Sequence, residues 1–236
     1  MKHFHDIVAY RRAVRKYHDD PVPDAVVRRC IETAILAPSS SNLQLWEFYH
    51  VKDAAKKQAL VEACMSQPAA RYAPNLVVVV ARHDLWRERC RANLEFVQSL
   101  PEDEPDEKPI KAARYFTKTI PTLYWDFFGV AGLLKKLFAF LVGLRRPMFR
   151  EVSASEVRTM TQKSVGLAAQ TFMLALAAEG YDSCPMEGFD SRRIRRILGL
   201  PRGAMINMVI SCGKRAPGGI YGPRFRLPLE KVFFEV

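Results

Sequence analysis

Apolar positions along the chain follow two rhythms. In 76–81 (LVVVVA) they are continuous, and in 205–211 (MINMVIS) nearly so. Apolar runs this short read as strands buried on both faces. Residues 46–51 (WEFYHV) read as a third strand. Elsewhere the spacing is helical. In 24–35, Val26, Val27, Cys30, Ile31, Ala34 and Ile35 share one face, Pro23 and Asp24 open the helix, and Pro38 ends it. Residues 3–17 carry a rough stripe of Phe4, Ile7, Val8 and Val14, and 53–65 form another helix. Residues 156–179 form a long helix stopped by Gly180. From 165 to 178 it is apolar nearly all round, which predicts a path through a core or a subunit interface. Residues 191–198 make a short basic helix. Helices and strands mix without strict alternation, so the fold class is α+β around one sheet.

Composition narrows the field. The 236 residues fit one large domain or two small ones, and 49% hydrophobic content excludes disorder of the whole chain. The net charge of +11 points to nucleic acid, an anionic membrane or a phosphorylated small molecule, without choosing among them. The cysteines number five, and no two form a CxxC pair. A reduced, cytoplasmic chain accounts for this, and the N-terminus MKHFHDIVAYRR is too polar for a secretory signal. His3, His5, His18, His50 and His83 make no metal-ligand pattern with the cysteines, so no metal is expected. Arg192, Arg193, Arg195 and Arg196 are the best argument for nucleic acid. Without zinc spacing, an RNP motif or a helix-turn-helix they read as a solvated helix face.

Four segments carry candidate chemistry. The first is PSSSN, residues 38–42, which is polar but uncharged and leads into Trp46. It offers hydroxyls, amides and backbone N–H groups to something neutral or anionic. The second is YRRAVRKY, residues 10–17, where Arg11, Arg12 and Arg15 fall within little more than one helical turn. Guanidinium groups bind phosphate through a planar fork and keep their charge. The third is SCPMEGFD, residues 183–190, a tight turn after the long helix. The fourth is RFRLPLEKV, residues 224–232, where alternation turns Arg224 and Arg226 the same way in an extended strand.

In this order and at these positions, the four segments and Gln170 of the apolar helix resemble the FMN-dependent nitroreductase family, over about 4–82 and 155–236. The resemblance implies an α+β sandwich, with a central mixed sheet flanked by helices, that forms an intertwined homodimer with FMN at the subunit interface. It implies hydride transfer from NAD(P)H to flavin N5, then reduction of a nitroaromatic, quinone or similar acceptor. By resemblance, Arg11, Arg12, Arg224 and Arg226 surround the FMN phosphate and ribityl chain, and Arg15 lies near the N1–C2=O edge of the ring. Pro38, Ser39, Ser40 and Asn42 come from the partner subunit and line the ring and ribityl side. Gln67 reaches the pyrimidine edge, Pro185 and Met186 cover one flavin face, and the backbone N–H at Glu187 or Gly188 meets N5. The sequence departs from the family at three places. Ala13 replaces a common serine, Leu45 replaces a proline, and Ala70 stands where some members have lysine. No side chain is assigned as an acid or base, because the cofactor supplies the reactive atom.

The expected organisation is one domain, 1–236, with a helical excursion at about 83–154. Within it, 101–109 (PEDEPDEKP) reads as an exposed loop. Residues 127–149 hold two apolar runs split by Lys135 and Lys136, each too short for the roughly 20 residues that span a bilayer. They form a packing element, a lid over the flavin, or a membrane-surface contact. The lid ranks above the membrane, because the runs are short and there is no second anchor. An FMN store with a lid and little turnover is the alternative function.

Overall fold

The computed structural model describes residues 3–100, 113–125 and 130–236. Its centre is β2 (Asn75–Ala81), every residue of which is buried. The sheet order is β1-β2-β4-β3, where β1 is Trp46–Val51, β3 Asp182–Met186 and β4 Met205–Gly213. The run of valines is explained by burial on both faces. Leu76, Val78 and Val80 point into a core with Leu60, Cys64, Ala69 and Ile194. These come from α3 (Ala54–Ala63), the turn after it, α4 (Pro68–Arg71) and α9 (Ser191–Leu198). Val77, Val79 and Ala81 point the other way, onto Val27, Ala34, Val165 and Phe172 of α2 (Asp24–Ala34) and α8 (Ala154–Ala178).

The sheet was expected to be mixed, yet its strands pair antiparallel throughout. Parallel pairing among the described residues is confined to a single bridge, Ala13 to Ser183. That bridge also corrects the N-terminal helix. α1 covers only Phe4–Tyr10, and the chain is extended from Arg11 onward. Val14 N–H donates to Ser183 O (3.3 Å) and Arg15 N–H to Gly219 O (2.8 Å), so neighbouring segments supply the partners that a helix would supply internally. Fully burying Val14 outweighs the weak helical periodicity.

α8 begins two residues earlier than its apolar pattern. Ser153 and Glu156 form a capping box, a signal present in the sequence as SASE. The excursion contributes α5 (Trp86–Gln98), a π-helical turn (Tyr115–Thr119), α6 (Ile120–Tyr124) and α7 (Val130–Gly143). It makes a third core from Trp86, Cys90, Ile120, Tyr124 and Val157 together with Leu43 and Leu45. Leu45, the departure from proline, is thus a core residue. The acidic loop at 101–109, and Phe127 and Phe128, lie outside the described residues. No helix among the described residues is long and apolar enough to cross a membrane. All of Cys30, Cys64, Cys90, Cys184 and Cys212 are free and buried.

One ion pair with a buried carboxylate ties the N-terminal segment to the end of β4. Asp182, 4% exposed, accepts from the backbone N–H of Arg215 (3.0 Å) and from its Nε (2.9 Å), and also pairs with Nη2. Tyr10 donates to the same carboxylate (3.4 Å) and lies under the Arg215 guanidinium. Arg215→Met leaves the buried carboxylate with only the backbone donor and the phenol. A loss of about 2–3 kcal/mol in urea unfolding is expected, below the ~3–5 kcal/mol of a fully stripped buried pair.

Candidate active site

Extended backbone, not a helical turn, brings the N-terminal arginines together with those of the C-terminal arm. Arg11, Arg12, Ala13 and Arg15 line one side of a cleft of about 180 Å³, and Tyr221, Arg224 and Arg226 line the other. Arg224 Nη2 donates to Ala9 O and Arg11 O, both at 2.7 Å, and Arg12 Nη2 to Gly222 O at 2.8 Å. The Arg15 guanidinium lies 5.0 Å from the centre of the Tyr221 ring, which spreads its charge over a π face. Close backbone approach makes this possible. A side chain at Gly219 would put its Cβ 2.5 Å from Lys16 O. Arg224 and Arg226 were expected on a strand. They stand instead on an irregular arm outside the sheet, and both still face the cleft.

The cleft is electrostatically uncompensated. Ion pairs among the described residues leave all five arginines without a carboxylate. Burial, followed by the charges of Arg224 and Arg226, pushes the Arg11 pKa down. Like charges gathered this closely disfavour the empty cleft and favour a dianion within it.

The turn after β3 forms a second part. Gln67 Nε2 donates to Gly188 O (2.9 Å) and to Cys64 O (3.0 Å), so Gln67 and the PMEG turn are neighbours. Glu187 and Gly188 are exposed. A Cβ on Gly188 would meet only Gln67 Nε2, at an ordinary 3.7 Å, so internal packing does not demand glycine there. Pro185 is half-buried, but Met186 is buried in the sheet core. The Met186 side chain therefore faces the core, which corrects the expectation that it covers one flavin face. Cys184 lies in the same strand. Burial raises its thiol pKa, and Arg15 and Arg11 partly oppose the rise.

The serine loop lies elsewhere. Ser40 N–H donates to Ser164 Oγ (3.1 Å), Gln44 N–H to Ser39 Oγ (3.1 Å) and Asn42 Nδ2 to Asn93 Oδ1 (2.8 Å). Pro38 is exposed. Ser41, Asn42 and Gln44 have φ of +55°, +51° and +48°, left-handed values that non-glycine residues adopt at a cost. Ser40 and Ser41 open onto a different cavity of about 810 Å³, walled by the excursion. So the structure gathers the arginines, holds Gln67 against the PMEG turn, and leaves the serine loop on separate ground. Asn93 and Tyr221 were missed as supports. Asn93 had a signal, a polar residue on the stripe of Trp86 and Cys90 that faces the core.

The profile of the nitroreductase family matches residues 8–214. The chain belongs to the nitroreductase family. It is 34% identical to a protein of Thermus thermophilus named NADH dehydrogenase, over 94% of this chain and 90% of the relative. It is 31% identical to protein DrgA of Synechocystis, over 90% and 86%. Its fold matches that of an Exiguobacterium sibiricum protein described as a nitroreductase and solved in complex with FMN. That match has a TM-score of 0.70 and 21% identity, and covers 100% of this chain and 98% of the other.

The charge of the cleft is testable without any cofactor. Inorganic phosphate should raise the thermal midpoint above that in chloride of equal ionic strength. Arg226→Gln, on an exposed arginine that donates only to the neighbouring Phe225 O, should change stability without phosphate by less than ~0.5 kcal/mol and diminish the phosphate response.

Proposed function

We propose that this nitroreductase-family oxidoreductase uses FMN and NAD(P)H to reduce a nitroaromatic, quinone or similar acceptor by a ping-pong mechanism. The observation that carries the proposal is the cleft of five uncompensated arginines, whose charge suits a phosphate dianion. Arg11, Arg12, Arg224 and Arg226 would hold the phosphate and ribityl end. Arg15 would sit toward the ring, where fixed positive charge favours the reduced form. The amide of Gln67, the ring of Pro185 and the backbone at Glu187 and Gly188 would border the isoalloxazine. FMN, when bound, supplies two-electron chemistry in two half-reactions, one with NAD(P)H and one with the acceptor. The chain binds, orients and tunes charge, and no side chain is assigned a proton.

The working unit in this proposal is a homodimer. None of Pro38, Ser39, Ser40 and Asn42 lines the arginine cleft of its own chain, and Ser40 opens onto a separate cavity, which supports their acting on the site of a second copy. The C-terminal arm supports this too, because Phe225, Leu227, Leu229, Phe233 and Phe234 are all exposed on a single chain. The 810 Å³ cavity beside the serine loop favours turnover over flavin storage under a closed lid, since it leaves room for an acceptor.

The test is anaerobic titration of the FMN-loaded protein. NADH or NADPH should bleach the oxidised-flavin band, and a quinone or nitroaromatic should restore it. If neither nucleotide bleaches the flavin, the protein is a binder and not a reductase. Sedimentation of the loaded protein should show a dimer, and a stable monomer that retains FMN would contradict the shared site.

A further inference from the structure

We propose that the outer face of α7 docks this protein on an anionic lipid surface, and that the cavity behind it admits an apolar acceptor dissolved there. The first ground is inverted amphipathicity. Along α7 the inward stripe is Ala131, Ala139 and half-buried Val142, with the stem of Lys135. The outward residues Leu133, Leu137, Phe140, Leu141 and Leu144 are each more than half exposed. A surface helix of a soluble domain has the opposite arrangement. Scattered exposed leucines need no explanation, but a contiguous face of them marks an interaction site.

Length and charge select the partner. Fourteen residues make a helix about 21 Å long, short of the roughly 30 Å hydrocarbon core, so α7 lies in the interface and does not cross it. No acidic residue occurs from 127 to 150, while Lys136 lies on the helix and Arg145, Arg146 and Arg150 follow it. Lys136 is partly engaged with Glu156 (3.1 Å), and the three arginines are exposed. Trp125, half exposed at the other end, is the side chain type that settles at headgroup depth. A second copy of the chain would bring the same arginines and the same net charge of +11 against this face. Anionic headgroups would neutralise them.

The acceptor half of the proposal rests on the oxidoreductase reading, and the docking half does not. Leu134 and Phe138 of α7 form one wall of the 810 Å³ cavity, and Ser40 and Ser41 of the serine loop form another. A quinone dissolved in lipid would have an apolar route from the docked face to that loop. Its reduction to the hydroquinone takes two electrons and two protons, which one NAD(P)H and one solvent proton supply.

The test uses the full FMN-loaded chain and sedimenting vesicles of phosphatidylcholine with or without phosphatidylglycerol. Binding should be at least about tenfold stronger with phosphatidylglycerol and should weaken as salt rises. Leu137→Asp with Phe140→Asp, both outside the cavity wall, should reduce binding about tenfold or more with the fold and FMN content unchanged. Arg145→Glu with Arg146→Glu should remove the preference for phosphatidylglycerol. Docking is overturned if the parent protein ignores both vesicles, if the aspartate variant binds as well as the parent, or if that variant changes only the oligomeric state. The acceptor half is read from quinone reduction in the vesicles. The aspartate variant should slow a long-chain quinone about tenfold and spare a water-soluble short-chain one. Equal slowing of both overturns it. If the parent reduces neither quinone, the oxidoreductase reading fails, and docking is still decided by sedimentation.

Discussion

Like-charge crowding at one cleft is the constraint around which this chain is arranged. Arg11, Arg12, Arg15, Arg224 and Arg226 face a single cleft with no carboxylate among the described residues to offset them. Repulsion on this scale must be overcome by groups that hold the backbone in place. The pair of buried Asp182 with Arg215, together with the phenol of Tyr10, fixes the end of β4 against the start of the arginine segment. The Ala13–Ser183 bridge fixes its middle, and the close approach at Gly219 fixes the loop that carries Tyr221. The first two restraints end on β3, and the sheet is rigid because both its faces are covered.

Physical division of labour follows from that layout. The rigid half, built on β3, β4 and the N-terminal segment, carries fixed charge. The excursion carries apolar surface and the larger cavity. The strained serine loop stands between the excursion and α8, held by Asn93 and Ser164. Backbone strain at Ser41, Asn42 and Gln44 is the kind that persists only where surrounding contacts over-determine a conformation. In the proposed dimer that loop would meet the arginine cleft of the other copy, so neither chain alone would contain a whole site.

Much of this was legible in the sequence where local pattern and tertiary demand agree. The valines of β2 announced a strand buried on both faces, and the ends of β1 and α9 fell where the pattern placed them. Pattern failed where long-range pairing decides. Residues 11–17 look helical, but Val14, Arg15 and Lys16 pair through their backbones with Ser183, Gly219 and Ala216, which no local window contains. Met186 falls in a motif that suggests a ligand contact, yet alternation along β3 turns its side chain into the core. Exposure of the outer face of α7 was also invisible, because an apolar helix reads the same whether it is covered or open. The arginine cluster was legible as residue types in register, and its geometry was not, since the expected helix and strand are both absent there.

Affinity for FMN compared with riboflavin tests the central claim most directly, because the two ligands differ only in the phosphate. Titration of the cofactor-free protein with each, at one fixed salt concentration, isolates the contribution of the arginine cleft. Charge-assisted hydrogen bonds are worth about 1.5–3 kcal/mol each, so several acting together should favour FMN by at least about a hundredfold. Comparable affinity for FMN and riboflavin would contradict the account.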